Sequence, residues 1–431
     1  MSKEYINIEQ IAGETGEEEN YTSIFQKAFR ICKKQGGGTV YVPPGKYLTG
    51  PIEMISNTNL HIDAGAELVF SNDLNDFTLI QSRWEGHVQD SYMPLIYGKN
   101  LENVSVTGRG ILNGQGAWWW KKHKNKTLKY PRPRFISFDS CERILIEGIK
   151  LIDSPSWTVN PVKSQNITIH NISIKNPADS PNTDGINPDS CSEVRISDCH
   201  VDVGDDCITI KSGVESNAER IACRNISITN CTLVHGHGGV VIGSEMSGSI
   251  QNVVISNCIF YQTDRGVRIK SRRGRGGVVE DIRINNLIMD EVMCPIVLNL
   301  YYFCGEGGKD KKVWDPAPYP LDDSTPEIRR ISLTGITARN VTAAAMFLYG
   351  LPESPLSELF FRDIRIHMKE GGAPDYPAMM NRIEPMSQKG IFASYVKDSV
   401  FQDVIIENQN GPVSTINNCE NLTVPEGWDK K

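Results

Sequence analysis

The chain has 431 residues, of which 39% are hydrophobic and 23% are charged, a balance typical of a folded globular protein. Its formal net charge of −7 argues against nucleic acid as a partner. No stretch approaches the ~18 consecutive apolar residues of a membrane-spanning helix, so no membrane partner is expected either.

The N-terminal region predicts a helix and no export signal. The first 20 residues contain neither an apolar segment nor a small-residue cleavage site, so we expect a cytoplasmic protein. Residues 21–34, YTSIFQKAFRICKK, then place apolar residues at helical spacing before a run of glycines. Because a repetitive fold needs a covered end, we predict that residues 1–40 form an N-terminal cap around this helix.

Short runs of alternating Val and Ile recur through the rest of the chain, each followed by Asn, Asp or Gly. Three copies align at offsets of 32 and then 27 residues on the tripeptides Ile210–Ser212, Ile242–Ser244 and Ile269–Ser271. Alternation with period two and β-branched apolar positions predict short strands. A repeat of about 22 to 32 residues built of strands and turns predicts a β-solenoid, since propeller blades need about 40 residues.

The 11 cysteines are odd in number and include no CxxC pair, so neither a zinc site nor a fully paired disulfide scaffold is predicted. We expect buried free thiols in a reducing compartment. The repeat offsets place Cys199, Cys231 and Cys258 in one column, as stacked coils would. Asn230 and Asn257, which precede two of these cysteines, are expected to form turns.

Acidic residues recur at the repeat offsets. Asp184 lies 22 residues before Asp206, Asp205 directly precedes Asp206, and His237 lies 32 residues after Asp205. If these offsets place the residues on neighbouring coils, Asp184 and Asp206 stack at roughly 5 Å, with His237 one coil beyond Asp205. Stacked carboxylates repel, which raises the pKa of at least one and keeps a proton available.

Arg268 and Lys270 follow in the next copy of the repeat. One protonated carboxyl can protonate a glycosidic oxygen while an ionised carboxylate activates water, and the two cations suit an anionic sugar. Each motif alone is weak, since an Asp-Asp pair is usually a solvated turn or, in some solenoids, a calcium ligand. Their ordered spacing favours a glycosidase site.

Two further groups of residues have open interpretations. The basic run Lys270, Arg272, Arg273 and Arg275 is either a solvated loop or a cleft wall that attracts a polyanion. Four tryptophans can stack on sugar rings, although packing is expected for at least two of them: Trp84, Trp118, Trp119 and Trp120.

The ordered motifs NTD at 182–184, DD at 205–206, GHG at 236–238 and RIK at 268–270 resemble those of the family-28 glycoside hydrolases, the polygalacturonases. The stretches GGGTVYVPPGKYLTGPI and GRGILNGQGAWWW also resemble the opening coils of bacterial members. The resemblance covers nearly the whole chain. It implies one right-handed parallel β-helix, here residues 1–431. The stretch at 303–325 is rich in Pro, Gly and charge and interrupts the repeat, so we predict a long surface loop there.

The resemblance also implies residue roles. Asp205 matches the general acid, Asp184 and Asp206 match the pair that holds the attacking water, and His237 matches the histidine that tunes the acid. The substrate-binding candidates are Asn182, Arg268, Lys270 and one of two tyrosines between which the sequence does not choose, Tyr301 and Tyr302. By the general rule for glycosidases, a spacing near 5 Å between the two carboxylates would suggest that the anomeric configuration is retained. The family is known for inversion, which we predict.

The predicted substrate is oligo- or polygalacturonate joined by α-1,4 bonds, and a monomer without cofactor or metal is expected. We predict exo action on imported oligogalacturonates, with residues 303–325 or the loop around Trp84 closing one end of the cleft. Three alternatives remain open. The first is a rhamnogalacturonan or xylogalacturonan hydrolase, the second a calcium-dependent pectate lyase on the same fold, and the third a non-catalytic glycan-binding solenoid.

Overall fold

The computed structural model describes residues 5–15 and 20–428, and it divides the chain into two compact units, residues 1–205 and 206–431. These are called the N-terminal and C-terminal units. The prediction of one domain over 1–431 stays a prediction, and residues 1–4, 16–19 and 429–431 lie outside the described part. Within the described ranges, no helix is both long and apolar enough to cross a membrane.

The N-terminal unit is built of three ladders of parallel strands, numbered in chain order. The first ladder is β1 (Ile6–Asn7), β2 (Gly38–Val42), β5 (Thr58–Ile62), β10 (Glu102–Gly108), β13 (Glu142–Glu147), β15 (Gln165–His170) and β17 (Ser192–Ser197). The second is β3 (Gly45–Thr49), β6 (Ala66–Phe70), β11 (Ile111–Asn113), β14 (Lys150–Ile152), β16 (Ser173–Lys175) and β18 (His200–Val203). The third is β4 (Ile52–Glu53), β9 (Ile96–Lys99) and β12 (Ile136–Asp139).

The same unit carries several elements outside the ladders. They are the helices α1 (Ile8–Thr15), α2 (Thr22–Lys34) and α3 (Gly116–Lys124), the 3-10 turn Leu74–Asp76, and the antiparallel hairpin of β7 (Leu79–Trp84) and β8 (His87–Tyr92). Helix α2 confirms the helix predicted at 21–34. It buries one apolar face from Ile24 to Cys32 and packs against β2 and β4.

The C-terminal unit consists of two longer ladders. One is β20 (Cys223–Thr229) with β21 (Thr232–His235), β23 (Ile250–Tyr261), β25 (Val278–Asp290), β27 (Glu327–Val341), β29 (Leu356–Met368), β31 (Val396–Glu407) and β33 (Glu420–Thr423). The other is β19 (Ile208–Ile210), β22 (Val240–Ile242), β24 (Arg265–Lys270), β26 (Cys294–Asn299), β28 (Ala344–Tyr349), β30 (Lys389–Ser394) and β32 (Ser414–Asn417). Between β26 and β27, residues 303–325 hold only the short helix α4 (Lys311–Trp314).

Stacked apolar side chains form the core of each unit. In the N-terminal unit Val104, Ile144, Ile167 and Val194 pair in register along the first ladder, and all four are buried. Full burial of such a side chain contributes roughly 1.5–3 kcal/mol. Parallel strands in stacked ladders confirm the predicted all-β parallel β-helix with an N-terminal helix.

The predicted repeat offsets appear directly as strand register. In the C-terminal unit Ile210 pairs with Ile242, and Ile242 pairs with Ile269, which are the offsets of 32 and 27. Asn230 and Asn257 adopt positive φ angles of 56° and 57°, as expected for turn residues. No disulfide joins the 11 cysteines, all of which lie in the described residues, and nine of them are buried, as predicted for buried thiols.

Candidate active site

Asp184 lies on the long turn between β16 and β17 of the N-terminal unit, with 3% of its surface exposed. Its backbone carbonyl accepts a hydrogen bond from Thr158 N at 2.8 Å, and its Oδ2 accepts one from Asn187 Nδ2 at 3.0 Å. Asn182, two residues before Asp184, adopts a left-handed backbone conformation with φ 52°. Asn tolerates this conformation better than most residues. The turn therefore fixes the Asp184 carboxylate from both its backbone and its side chain.

Asp184 and Asp205 form a close carboxylate pair, with one oxygen of each within 4.8 Å of the other. Asp205 is partly exposed and follows Gly204, whose N–H donates to Thr183 Oγ1 at 3.3 Å. A Cβ at Gly204 would lie 2.5 Å from Ser180 O, so only glycine fits before Asp205. Two carboxylates this close repel unless they share a proton or a cation, which is an arrangement suited to proton transfer.

Arg132 supplies positive charge beside this pair and was missed by the sequence analysis. It is 2% exposed, and it donates to Pro181 O at 2.7 Å and to Asn182 Oδ1 at 2.7 Å. Burial lowers the pKa of Arg132 to about 10, although the carboxylates of Glu85, Asp184 and Asp205 oppose that shift. Arg132 therefore stays charged at neutral pH. It belongs to no aligned copy of the repeat, so the offsets did not point to it.

In the C-terminal unit Asp206 is held by two cations. Lys270 Nζ lies 2.7 Å from Asp206 Oδ2, and Arg268 Nη1 lies 3.3 Å from Asp206 Oδ1. Burial raises the pKa of Asp206, but the charges of Lys270 and Arg268 outweigh burial and hold that pKa well below its usual range. Asp206 is therefore ionised and can accept a proton or orient water, but it cannot serve as an acid near neutral pH.

Strand register explains this convergence. Arg268 and Lys270 are two residues apart on β24, so they project to the same side of the strand. Gly238 lies two residues before β22, and a Cβ there would lie 2.4 Å from Val241 Cγ2 and 3.4 Å from Asp206 Oδ1. A side chain at this glycine would therefore clash with Val241, while the Asp206 carboxylate lies at ordinary contact distance.

His237 is oriented by a second carboxylate that the sequence analysis missed. His237 Nδ1 lies 2.8 Å from Asp264 Oδ2, while the imidazole is half exposed. Burial raises the pKa of Asp264, but the hydrogen bond from His237 and the charge of Arg265 outweigh it, so that pKa lies below its usual value. The ionised carboxylate fixes the proton on Nδ1 and directs Nε2 away from Asp264. Asp264 belongs to the segment TDRG at 263–266, which occurs in only one copy of the repeat. Aligning the repeat copies therefore did not identify this residue.

The two candidate tyrosines differ in their surroundings. Tyr302 lies beside the cations, with Lys270 Nζ 5.2 Å and Arg268 Cζ 5.7 Å from the centre of its ring. Tyr301 is 2% exposed and packs edge-on against Tyr349 with ring centres 5.2 Å apart. The geometry therefore selects Tyr302 as the tyrosine near the Asp206 group and makes Tyr301 part of the packing.

The basic run after β24 is neither the solvated loop nor the exposed cleft wall that the sequence suggested. Arg272, Arg273 and Arg275 are at most 4% exposed. Arg272 and Arg275 both pair with Glu215, and Arg273 pairs with Glu353. Buried arginines in a folded protein need such partners, so their charges are satisfied internally.

The tryptophans divide between packing and surface roles. Trp119 is fully buried, and Trp120 donates to Ser154 O at 3.0 Å. Trp84 is partly exposed and stacks on the buried Trp157, with ring centres 5.0 Å apart and an interplanar angle of 18°. Trp84 therefore presents the best-fixed aromatic surface of the four.

Comparisons with known proteins agree with the motifs. The family model described as glycosyl hydrolases family 28 matches residues 32–385. A probable polygalacturonase of Vitis vinifera is 35% identical over 359 residues, which cover 80% of this chain and 71% of the relative. An endo-polygalacturonase of Pectobacterium carotovorum subsp. carotovorum is 32% identical, covering 66% and 73% of the two chains. The solved structure of a hyperthermoactive exopolygalacturonase from Thermotoga maritima matches with a TM-score of 0.74 and 29% identity, covering 86% of this chain and 88% of that one.

Proposed function

The chain belongs to family 28 of the glycosyl hydrolases and is a glycosidase, and we propose that it hydrolyses the α-1,4 bonds between galacturonic acid units of pectin fragments. The observation that carries this proposal is the Asp206 carboxylate, which Lys270 and Arg268 hold ionised in a buried setting. Glycoside hydrolysis needs one carboxyl group that donates a proton and one ionised carboxylate, and Asp206 supplies the second of these.

We assign the proton donor to Asp205, as the resemblance implies. Its proton passes to the glycosidic oxygen as the bond to the anomeric carbon breaks. The resemblance implies that Asp184 and Asp206 hold the water molecule that attacks that carbon, and that one of the two carboxylates takes the proton that the water loses. His237, held by Asp264, tunes the acid and returns it to its protonated form between turnovers.

We assign Lys270 and Arg268 to binding the uronate carboxylate of the substrate. Lys270 Nζ donates to Asp206 Oδ2 at 2.7 Å, which places its positive charge at the site. Arg268 Nη2 is buried and has no hydrogen-bond partner in the described residues. Arg268 therefore keeps a donor for an anionic sugar, and Tyr302 lies against both cations. No cofactor enters this scheme.

We propose exo action on short galacturonate oligomers. The relatives do not decide this point, since one is named an endo-polygalacturonase and another an exopolygalacturonase. The support is residues 303–325, which interrupt the ladders after β26 and are tied down by Arg273. The segment begins directly after Tyr302, which lies beside Arg268 and Lys270, so it starts next to the cations assigned to the substrate.

The reaction can either invert or retain the configuration at the anomeric carbon. Inversion follows from the resemblance to the family. Retention is favoured by the Asp184–Asp205 spacing within 4.8 Å, because retaining carboxylate pairs lie roughly 5–5.5 Å apart and inverting pairs roughly 6.5–9.5 Å apart. Proton NMR of the first anomer released decides between them, and we expect the inverted β-anomer.

The function is tested by incubating the protein with trigalacturonate whose reducing end carries an isotope label, and by following product mass and ultraviolet absorbance. We expect saturated galacturonic acid and digalacturonate, at a rate that a calcium chelator does not change. An unsaturated, absorbing product that disappears with chelator would replace the hydrolase by a lyase. A rapid fall in pectate viscosity with little monomer would replace exo by endo action.

A further inference from the structure

Arg265, the first residue of strand β24, is a buried arginine whose three side-chain nitrogens all have acceptors. Its Nη1 lies 3.3 Å from Asp264 Oδ2, its Nη2 donates to Tyr376 O at 2.7 Å, and its Nε donates to Pro377 O at 3.2 Å. A buried guanidinium needs such partners, and its donors form a rigid planar fork. These contacts therefore fix the orientation of the fork.

The two carbonyls belong to residues 369–388, which connect β29 to β30. Ala378 directly follows them in the chain, is 2% exposed and packs in one apolar cluster with Val297 and Phe347. Val297 and Phe347 pair in register on β26 and β28, the two strands that follow β24 in the same ladder. The segment is therefore seated on this ladder, and its carbonyls give Arg265 a fixed support.

The backbone of Asp264 and Arg265 is held by neighbouring coils. Asp264 O accepts a hydrogen bond from Cys294 N at 3.1 Å, and Arg265 O accepts one from Gly239 N at 2.9 Å. The side chain of Asp264 is 41% exposed, so its carboxylate can also turn toward water. The direction of this carboxylate therefore depends on the groups that its oxygens contact.

Arg265 and His237 meet on one oxygen of Asp264. His237 Nδ1 lies 2.8 Å from Asp264 Oδ2, and Arg265 Nη1 lies 3.3 Å from the same atom. The guanidinium restrains the ionised carboxylate, and the imidazole takes its orientation from that carboxylate. A continuous series of contacts therefore runs from residues 369–388 through Arg265 and Asp264 to His237.

We propose that Arg265 is a positioning residue for the hydrolysis, which holds the Asp264 carboxylate in the orientation that directs His237. Residues 369–388 supply the rigid support that this role needs. The inference rests on the proposed function. Arg265 makes no contact with the substrate in this scheme and acts only through Asp264.

The test measures kcat and KM on trigalacturonate for Arg265→Met in two backgrounds, the wild type and Asp264→Asn. In the wild type we expect kcat to fall about tenfold while KM stays nearly unchanged. In the Asp264→Asn background the same substitution should change kcat less than about twofold, because the carboxylate through which Arg265 acts is already gone. Arg329→Met is the matched control and should leave kcat unchanged, since Arg329 pairs with carboxylates on the other ladder.

Equal losses of kcat in the two backgrounds would overturn the inference, because a purely structural role would add to the effect of Asp264→Asn. A wild-type kcat in folded Arg265→Met, or a rise in KM alone, would overturn it as well. If Arg265→Met does not fold, Arg265→Lys takes its place, because it keeps the buried charge and loses only the planar fork. We then expect a smaller loss of kcat with the same dependence on the Asp264 carboxylate.

Nitrogen-15 NMR of the His237 imidazole tests the same role without substrate. With the signals assigned through His237→Gln, we expect the Nδ1–H tautomer in the wild type and a mixture of tautomers in Arg265→Met. An unchanged tautomer would overturn the inference. If trigalacturonate is not hydrolysed but the tautomer responds to Arg265→Met, the proposed function fails while the positioning of His237 by Arg265 stands.

Discussion

Lys270 Nζ lies 2.7 Å from Asp206 Oδ2, and both residues are at least 93% buried. Arg268 approaches the other carboxylate oxygen at 3.3 Å. Two cations against one carboxylate keep Asp206 ionised despite the cost of burying its charge. The same contacts link the stability of the C-terminal unit to pH and prepare the cations for an anionic substrate.

Lys270→Met should destabilise the protein more at pH 7 than at pH 4. Because the pKa of Asp206 is depressed in the folded protein, its ionised carboxylate stabilises the fold at pH values above the unfolded pKa of about 3.9. This stabilisation is lost as the pH falls through the folded pKa. Without Lys270, the buried Asp206 carboxylate loses its nearest cation. This loss costs about 3–5 kcal/mol of stability as long as the carboxylate stays ionised. At lower pH Asp206 can protonate and relieve that cost.

Urea unfolding of the Lys270→Met variant and wild type at the two pH values measures this difference. Lys46→Met is the control, because Lys46 pairs with Glu67 at the surface and its loss should cost at most about 1 kcal/mol. An equal loss of stability at pH 7 and pH 4 would mean that Asp206 is not held ionised by Lys270.

Asp264→Asn should lower kcat on trigalacturonate about tenfold and leave KM nearly unchanged. The variant keeps the shape of the side chain but removes the ionised acceptor that fixes the proton on His237 Nδ1. Asp281→Asn is the control, since Asp281 is an exposed carboxylate paired with Arg330. A positioning role would be refuted by an unchanged kcat, or by a rise in KM alone.

The two adjacent tyrosines should respond differently to truncation. Tyr302→Ala removes the ring beside Arg268 and Lys270 and should raise KM, with a smaller loss of unfolding free energy than Tyr301→Ala. Tyr301→Ala empties a packed position and should cost about 3–5 kcal/mol of stability. Steady-state kinetics and chemical unfolding of both variants would show the reverse pattern if Tyr301 were the residue near the substrate.

Arg273→Met should release residues 303–325. Arg273 Nη1 donates to the carbonyls of Lys312 and Asp315 at 2.8 and 2.7 Å, and the guanidinium pairs with the buried Glu353. Hydrogen exchange across 303–325 should quicken, and the product pattern should shift toward internal cleavage. Adding Glu353→Gln should recover part of the lost stability, because it removes the unpaired charge. Unchanged exchange in this segment would show that Arg273 does not hold it.

The repeat made most of the fold predictable. Side chains in stacked parallel strands lie above one another, so the offsets that align Ile210, Ile242 and Ile269 in the sequence are the register of β19, β22 and β24. Arg268 and Lys270 could be assigned to one face because β-strands alternate with period two.

Residues outside the repeat could not be predicted in the same way. Arg132 and Asp264 occupy no repeated column, and their importance comes from contacts with Asn182 and His237 that only folded coordinates reveal. The burial of Arg272, Arg273 and Arg275 was also hidden. Their partners, Glu215 and Glu353, are 57 to 80 residues distant in the sequence.

The central claim is that Asp205 donates the proton to the departing sugar. It is tested by comparing Asp205→Asn and wild type on trigalacturonate and on an aryl galacturonide whose leaving group needs no proton. We predict that the variant loses roughly 10²–10⁴ in rate on trigalacturonate but far less on the aryl substrate. Equal losses on both substrates, or full activity of the variant on trigalacturonate, would contradict the assignment.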